Sequence, residues 1–184
     1  MIKNLIIVLF FIAVSFFTSC TNDIKEVAAI TASKKLPSQI GDSITLLYTD
    51  SAKLKLVLKA NRMLVYDRNV VEPFTVMPKG FYVTLFDEEE KISATLKAKF
   101  GVRFDQSKRM EARYAVEVIN IKGDKLETER LVWDEVTKRI YTDAFVKITT
   151  DKEVIMGKGL ESNQDFTKYE IKEVTGNIQL NDGL

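Results

Sequence analysis

Between residues 91 and 104 the chain alternates strictly. Ile92, Ala94, Leu96, Ala98, Phe100, Val102 and Phe104 share one parity, while Ser93, Thr95, Lys97, Lys99 and Arg103 take the other. Successive side chains of a β-strand point to opposite faces, so seven apolar residues in step predict a strand with one face turned to a core. Residues 53–60 repeat the pattern, with Leu54, Leu56, Leu58 and Ala60 set against lysines. Shorter versions follow at Tyr114, Val116 and Val118, and at Val146 and Ile148. No long stretch after Gly41 shows a period near 3.6 residues, and an all-β domain is the consequence.

A second pattern punctuates the first. An apolar stretch closing on an aromatic residue and an aspartate recurs at Tyr66-Asp67, Phe86-Asp87, Phe104-Asp105 and Trp133-Asp134, at spacings of 20, 18 and 29 residues. Aspartate suits a turn because its carboxylate accepts hydrogen bonds from the backbone amides just ahead. Each spacing fits one strand-turn-strand unit. Repeats of this size predict stacked antiparallel hairpins rather than a closed barrel built around one ligand.

Composition removes most chemistry. The 184 residues fit one domain, and 27 basic against 26 acidic residues leave no positive surplus for neutralising nucleic-acid phosphates. There is no histidine and a single cysteine, Cys20. That excludes histidine-dependent triads, histidine-ligated zinc, four-thiolate sites and internal disulfides. Asp87-Glu88-Glu89-Glu90 lacks the alternating ligands and turn glycine of a calcium loop and is expected to be a solvated hairpin turn. Glu127 and Glu129 neighbour each other on one strand face and cannot flank a sugar bond from opposite sides. Gly157-Lys158-Gly159 is too short for a phosphate loop. The expectation is a protein that binds without catalysis, cofactor or metal.

The amino terminus accounts for the cysteine. After Lys3, residues 5–17 (LIIVLFFIAVSFF) are apolar except for Ser15. As a helix this run reaches about 20 Å, short of the roughly 30 Å of a bilayer core, which fits a signal-peptide core. Phe17-Thr18-Ser19-Cys20 then resembles the lipobox of bacterial lipoproteins, in which the cysteine is acylated and becomes the first mature residue. The expected division is a signal peptide over 1–19, a lipid-anchored tether over 20–42 and a β-domain over 43–184; an uncleaved anchor with a free thiol is the alternative. Cleavage would remove Lys3 and leave a neutral mature chain.

The stretch Gly123-Asp124-Lys125-Leu126-Glu127-Thr128-Glu129-Arg130-Leu131-Val132-Trp133-Asp134 is followed by Ile140-Tyr141-Thr142-Asp143, Val146-Lys147-Ile148 and Gly157-Lys158-Gly159-Leu160-Glu161-Ser162. Their order and spacing resemble the LptC family of periplasmic lipopolysaccharide-export proteins. Upstream, Phe74-Thr75-Val76-Met77-Pro78-Lys79-Gly80 resembles its lipoprotein-type members. The resemblance runs from about Tyr48 to Ile178. It implies an open, twisted β-jellyroll of stacked antiparallel hairpins, with two sheets arranged as a V. It also implies a transport component on the periplasmic side of the inner membrane. Such a protein accepts lipopolysaccharide from the permease subunits of an ABC transporter and passes it to an LptA-like jellyroll bridge protein.

On that reading the groove candidates are Leu56, Leu58, Leu96, Ala98, Phe100, Val116, Val118, Val146 and Ile148, with Trp133 added. Period-2 patterning reports an inward face without distinguishing a lipid trough from an ordinary core. The resemblance further implies that edge strands near Ile44 and Leu46 dock the permease and those near Tyr169 and Ile171 the bridge protein, by β-augmentation. Glu173 is expected to break the alternation of the last strand. The competing class is a lipid-anchored β-scaffold or adhesion lipoprotein, placed at the outer membrane and without a transport role.

Overall fold

The computed structural model describes residues 36–164 and 166–179. The apolar run at 5–17, Cys20 and most of the expected tether lie outside the described residues, as do residues 180–184. Within them the chain forms eleven strands: β1 Gln39–Asp50, β2 Lys53–Tyr66, β3 Phe74–Met77, β4 Phe81–Phe86, β5 Ile92–Ala98, β6 Phe100–Phe104, β7 Arg109–Asn120, β8 Lys125–Asp134, β9 Arg139–Thr149, β10 Glu153–Asn163 and β11 Tyr169–Gln179. All pairings are antiparallel, in one eleven-stranded sheet. The all-β expectation holds, and the architecture is consistent with a β-jellyroll. Strand β1 starts at Gln39, so residues 39–42 belong to the sheet and not to the tether.

The aromatic-Asp repeat falls where it was expected, at the ends of β2, β4, β6 and β8. Asp87 Oδ1 accepts from the amides of Glu89 (2.8 Å) and Lys91 (2.9 Å), and Asp134 Oδ1 from Thr137 N (2.9 Å). These amides hold both carboxyls below their usual pKa. In the Asp105 turn the corresponding partner is Glu72, whose Oε1 accepts from Ser107 N at 2.6 Å. The acidic run at Asp87 is thus a hairpin turn.

Two long strands organise the sheet. Along one side β2 pairs with β1 from Gln39↔Val65 to Asp50↔Lys53; along the other it holds β4 over Leu56 to Ala60 and β3 over Leu64 to Tyr66. Strand β7 does the same, with β8 on one side and β5 and β6 sharing the other. The sheet therefore forks after β2 into β4–β5 and β3–β6, rejoins at β7, and continues as a plain meander through β8, β9, β10 and β11.

Beyond the fork, each long strand is bulged near its middle. The β7/β8 register shifts between Arg113 and Val116, the β8/β9 register between Thr128 and Val132, and the β9/β10 register between Lys158 and Leu160. Tyr114, Ala115 and Gly159 take positive φ of 65°, 49° and 75° at these points. A bulge bends its strand and increases local twist. The amide of Lys99, at the β5–β6 break, donates to Tyr114 O at 3.0 Å, tying the fork to the first bulge. Together they form a crease across the sheet. The halves on either side face one another: a Cβ placed on Gly101 of β6 would come within 2.6 Å of Phe81 Cε1 on β4.

Between the halves lies one core. Its cross-strand rows follow the register, for example Leu58–Val83–Leu96–Val118–Leu126–Ile148. Leu126, Val146, Ile148 and Leu160 are completely buried. The β10–β11 loop closes one end with Phe166, 1% exposed and stacked on Tyr169 at 5.4 Å between ring centroids. Strand β11 continues through Glu173, but the alternation of half-buried and exposed residues stops there as expected, because Glu173 stays exposed opposite Lys158.

The apolar interior and its two edges as candidate functional site

Nine of the ten groove candidates meet in this interior. Leu58, Ala98, Val116, Val118, Val146 and Ile148 are buried members of the core cluster, and Leu56, Leu96 and Trp133 pack against it half-buried. Phe100 does not join them. Gly101 points inward, so alternation turns its neighbours Phe100 and Val102 outward. The bend at Lys99 uses one residue and reverses the parity that the sequence carried through residue 98. Phe100 instead lies edge-on to Tyr114 at 6.4 Å, with the Arg113 guanidinium 6.0 Å from its ring centroid.

Ile44, Leu46, Tyr169 and Ile171 sit on the two edge strands, since among the described residues β1 pairs only with β2 and β11 only with β10. Through the register they belong to the interior rows: Ile44 faces Ala60, Leu46 faces Leu58, and Ile171 faces Leu160. Burial pushes the Tyr169 hydroxyl pKa up, and the charges of Asp124 and Glu153, in the opposite half, push it further. The apolar rows end in partial exposure at both edges, with Leu46 43% exposed on β1 and Val174 60% on β11. Val174 lies opposite Gly157, which lies opposite the buried Val146.

Beside β1, where β2 changes partner, lies an open hollow of about 470 Å³, lined by Ile44, Ala60, Gly80, Phe81 and Ala98 together with Ser43, Thr45, Lys59, Asn61 and Tyr82. Gly80 has φ of +81°, and a Cβ there would sit 3.2 Å from Ala98 O, so only glycine fits this wall without strain. Asn61 Nδ2 donates to Lys79 O at 3.1 Å and holds the rim.

The outer faces carry the charge. Lys97 pairs with Glu117 at 2.7 Å, and Glu127 lies between Lys125 at 3.1 Å and Lys147 at 3.7 Å. Glu129 takes a separate contact, accepting from Ala115 N at 3.4 Å. Across the crease, Glu111, 6% exposed, accepts from Arg113 Nε at 2.9 Å and from Arg130 Nε, while Arg130 Nη1 reaches Asp143 at 2.9 Å. Burial pushes the Glu111 carboxyl up, but the hydrogen bonds from both arginines outweigh it and leave the group below its usual value.

Sequence reasoning missed several interior residues, among them Met77, Phe81, Val83, Leu126, Leu131, Leu160 and Phe166. Phe81 and Val83 alternate visibly within FYVTLF. Leu126 and Thr128 alternate with Glu127, then Leu131 and Trp133 resume on the other parity, so the bulge hides a continuous inward face. Phe166 sits among polar loop residues with no periodic signal.

Among the described residues no cluster of side chains could hold a metal ion, and no helix is long and apolar enough to cross a membrane. No curated protein matches the chain. A family model described as lipopolysaccharide-assembly, LptC-related, matches residues 5–179. A creased antiparallel sheet with an apolar interior open at two edges, together with that match, shows that the chain belongs to the LptC-related family and has a role in lipopolysaccharide transport.

Proposed function

We propose that the chain carries lipopolysaccharide through the interior between its two half-sheets, accepting it at the β1 edge from an ABC transporter's permease subunits. At the β11 edge it passes the lipid to an LptA-like bridge protein. The observation that supports this reading is the apolar row from the part-exposed Leu46 on the β1 edge through Leu58, Val83, Leu96, Val118, Leu126 and Ile148 to Ile155 on β10, with Val174 exposed on the β11 edge in a neighbouring row. Acyl chains need such a trough, while the sugar headgroup needs the water beyond its open side. Full burial of one long acyl chain, at about 0.8 kcal/mol per methylene, would hold the lipid too tightly to hand on. Partial enclosure keeps transfer reversible, and direction comes from hydrolysis at the transporter. Among the described residues both edges present unpaired backbone for strand addition.

Lipid at Cys20 anchors the chain on the periplasmic side of the inner membrane, more than one acyl chain being enough for stable attachment. Cys20→Ala followed by fractionation tests the anchor, and a variant that stays fully membrane-bound contradicts it.

Photo-crosslinking side chains at Leu46, Leu96 and Val174 test the carriage, with the outward Tyr82 as control. Adducts with lipopolysaccharide at the three inward positions and none at Tyr82 are expected. Adducts at Tyr82 alone, or at no position, would remove the proposal. Depletion separates transport from an outer-membrane scaffold: lipopolysaccharide accumulates at the inner membrane only if the chain exports it.

A further inference from the structure

Among the described residues two buried side-chain atoms have no hydrogen-bond partner, Glu127 Oε2 on the outer charged face, with Lys147 Nζ 3.7 Å away, and Trp133 Nε1 on an inward row. The Trp133 ring packs against the core cluster, yet its indole Nε1 is buried and has no hydrogen-bond acceptor among the described residues. The other buried polar side chains on the inward rows are satisfied. Thr128 Oγ1 donates to Phe145 O at 2.8 Å, Thr142 Oγ1 accepts from Ala144 N at 3.1 Å, and Ser162 Oγ donates to Lys168 O at 3.0 Å. Buried donors are normally paired, so an orphaned one calls for a partner that arrives from outside.

Its position suggests what arrives. Trp133 lies two strands from Arg103 in one register row, Arg103–Met110–Trp133, on the same face. Arg103 is 42% exposed and loosely surrounded by carboxylates, Glu135 at 3.7 Å and Asp105 at 4.0 Å. The row thus passes from a hydrated charged margin into the apolar interior within two strand spacings, about 10 Å. An acylated sugar lying across that boundary has its ester and amide carbonyls at the same transition, where chains meet headgroup.

Resting on the carriage reading above, we propose that the Trp133 N–H donates a hydrogen bond to an ester or amide carbonyl oxygen at the root of an acyl chain, fixing how deep the lipid sits in the trough. Trp133 is the only tryptophan, so its indole N–H gives a single resonance. The test titrates the full-length lipoprotein, in detergent, with lipid A and with an ether-linked analogue of equal chain lengths that lacks the carbonyls. The indole proton should move downfield with lipid A alone. Trp133→Phe, which keeps a ring but loses the donor, should weaken lipid A binding about tenfold and leave the ether analogue unchanged. Equal indole shifts with both lipids, or equal losses for both in Trp133→Phe, would overturn the contact while leaving carriage intact. Failure of the wild-type chain to bind either lipid would overturn both.

Discussion

The two halves of the sheet share an interior but differ on their outer faces. In the half built on β4 and β5, the outward row reads Lys59, Tyr82, Lys97, Glu117, Glu127, Lys147, a ladder of exposed or half-exposed side chains of mixed charge. In the half built on β3 and β6, the outward rows carry Val76, Val102, Val132 and Tyr141, with Glu111 among them, and Tyr66, Phe74 and Phe104. Tyr66 stacks on Phe74 at 4.8 Å, Phe74 reaches Phe104 at 6.3 Å, and Arg109 lies over Phe104 at 5.7 Å. Val132 is only 1% exposed although it points away from the core. One half is thus stabilised from inside alone, the other from both faces.

Substitutions on the shared and unshared faces can break that contrast. The largest loss should come from the shared interior: Leu126→Ala is expected to cost about 2–5 kcal/mol by chemical denaturation, because the site is fully packed. Next comes Glu111→Gln, expected to cost about 2–3 kcal/mol by removing the charge that two arginines bind. The folded pKa of Glu111 is lowered from 4.5, so its contribution is complete above that pH and fades as pH falls through the folded value. The gap between wild type and Glu111→Gln should therefore narrow in acid; a gap constant from pH 7 to below 4 would contradict the assignment. Val132→Ala should cost about 1.5–2 kcal/mol, as if it were a core residue. Lys97→Ala on the other outer face should change stability by less than about 0.5 kcal/mol. Equal losses for Val132→Ala and Lys97→Ala would erase the distinction between the halves.

The same contrast explains what the sequence could and could not disclose. Where one face is wet, period 2 separates inside from outside, and Leu58, Ala98, Val118 and Ile148 were legible for that reason. Where both faces are apolar, alternation loses its meaning. Phe100 and Val102 therefore read as the continuation of Leu96 and Ala98, although one bend at Lys99 had reversed them. Bulges are silent in a single sequence because each is one ordinary residue too many, as at Glu129 to Leu131. The edge positions Ile44, Leu46, Tyr169 and Ile171 came from family order, and topology puts all four on edge strands. The orphaned N–H of Trp133 depends on what surrounds it in space, and no sequence pattern encodes that.

The fork described between β2 and β7 also divides the chain by how it comes apart. Two routes of paired strands join β2 to β7, so neither route can be opened without straining the other. From β8 to β11 there is one route only, and the last strand is held by a single neighbour. Opening should therefore begin at the two singly held strands, β1 and β11, and proceed strand by strand from β11, while the closed circuit yields only with global unfolding. In hydrogen exchange, amides of β1 and β11 should lose protection first and those of β7 last. A protein of this build can exchange partners at its final strand without risking its core, since the part that lets go and the part that holds are wired differently.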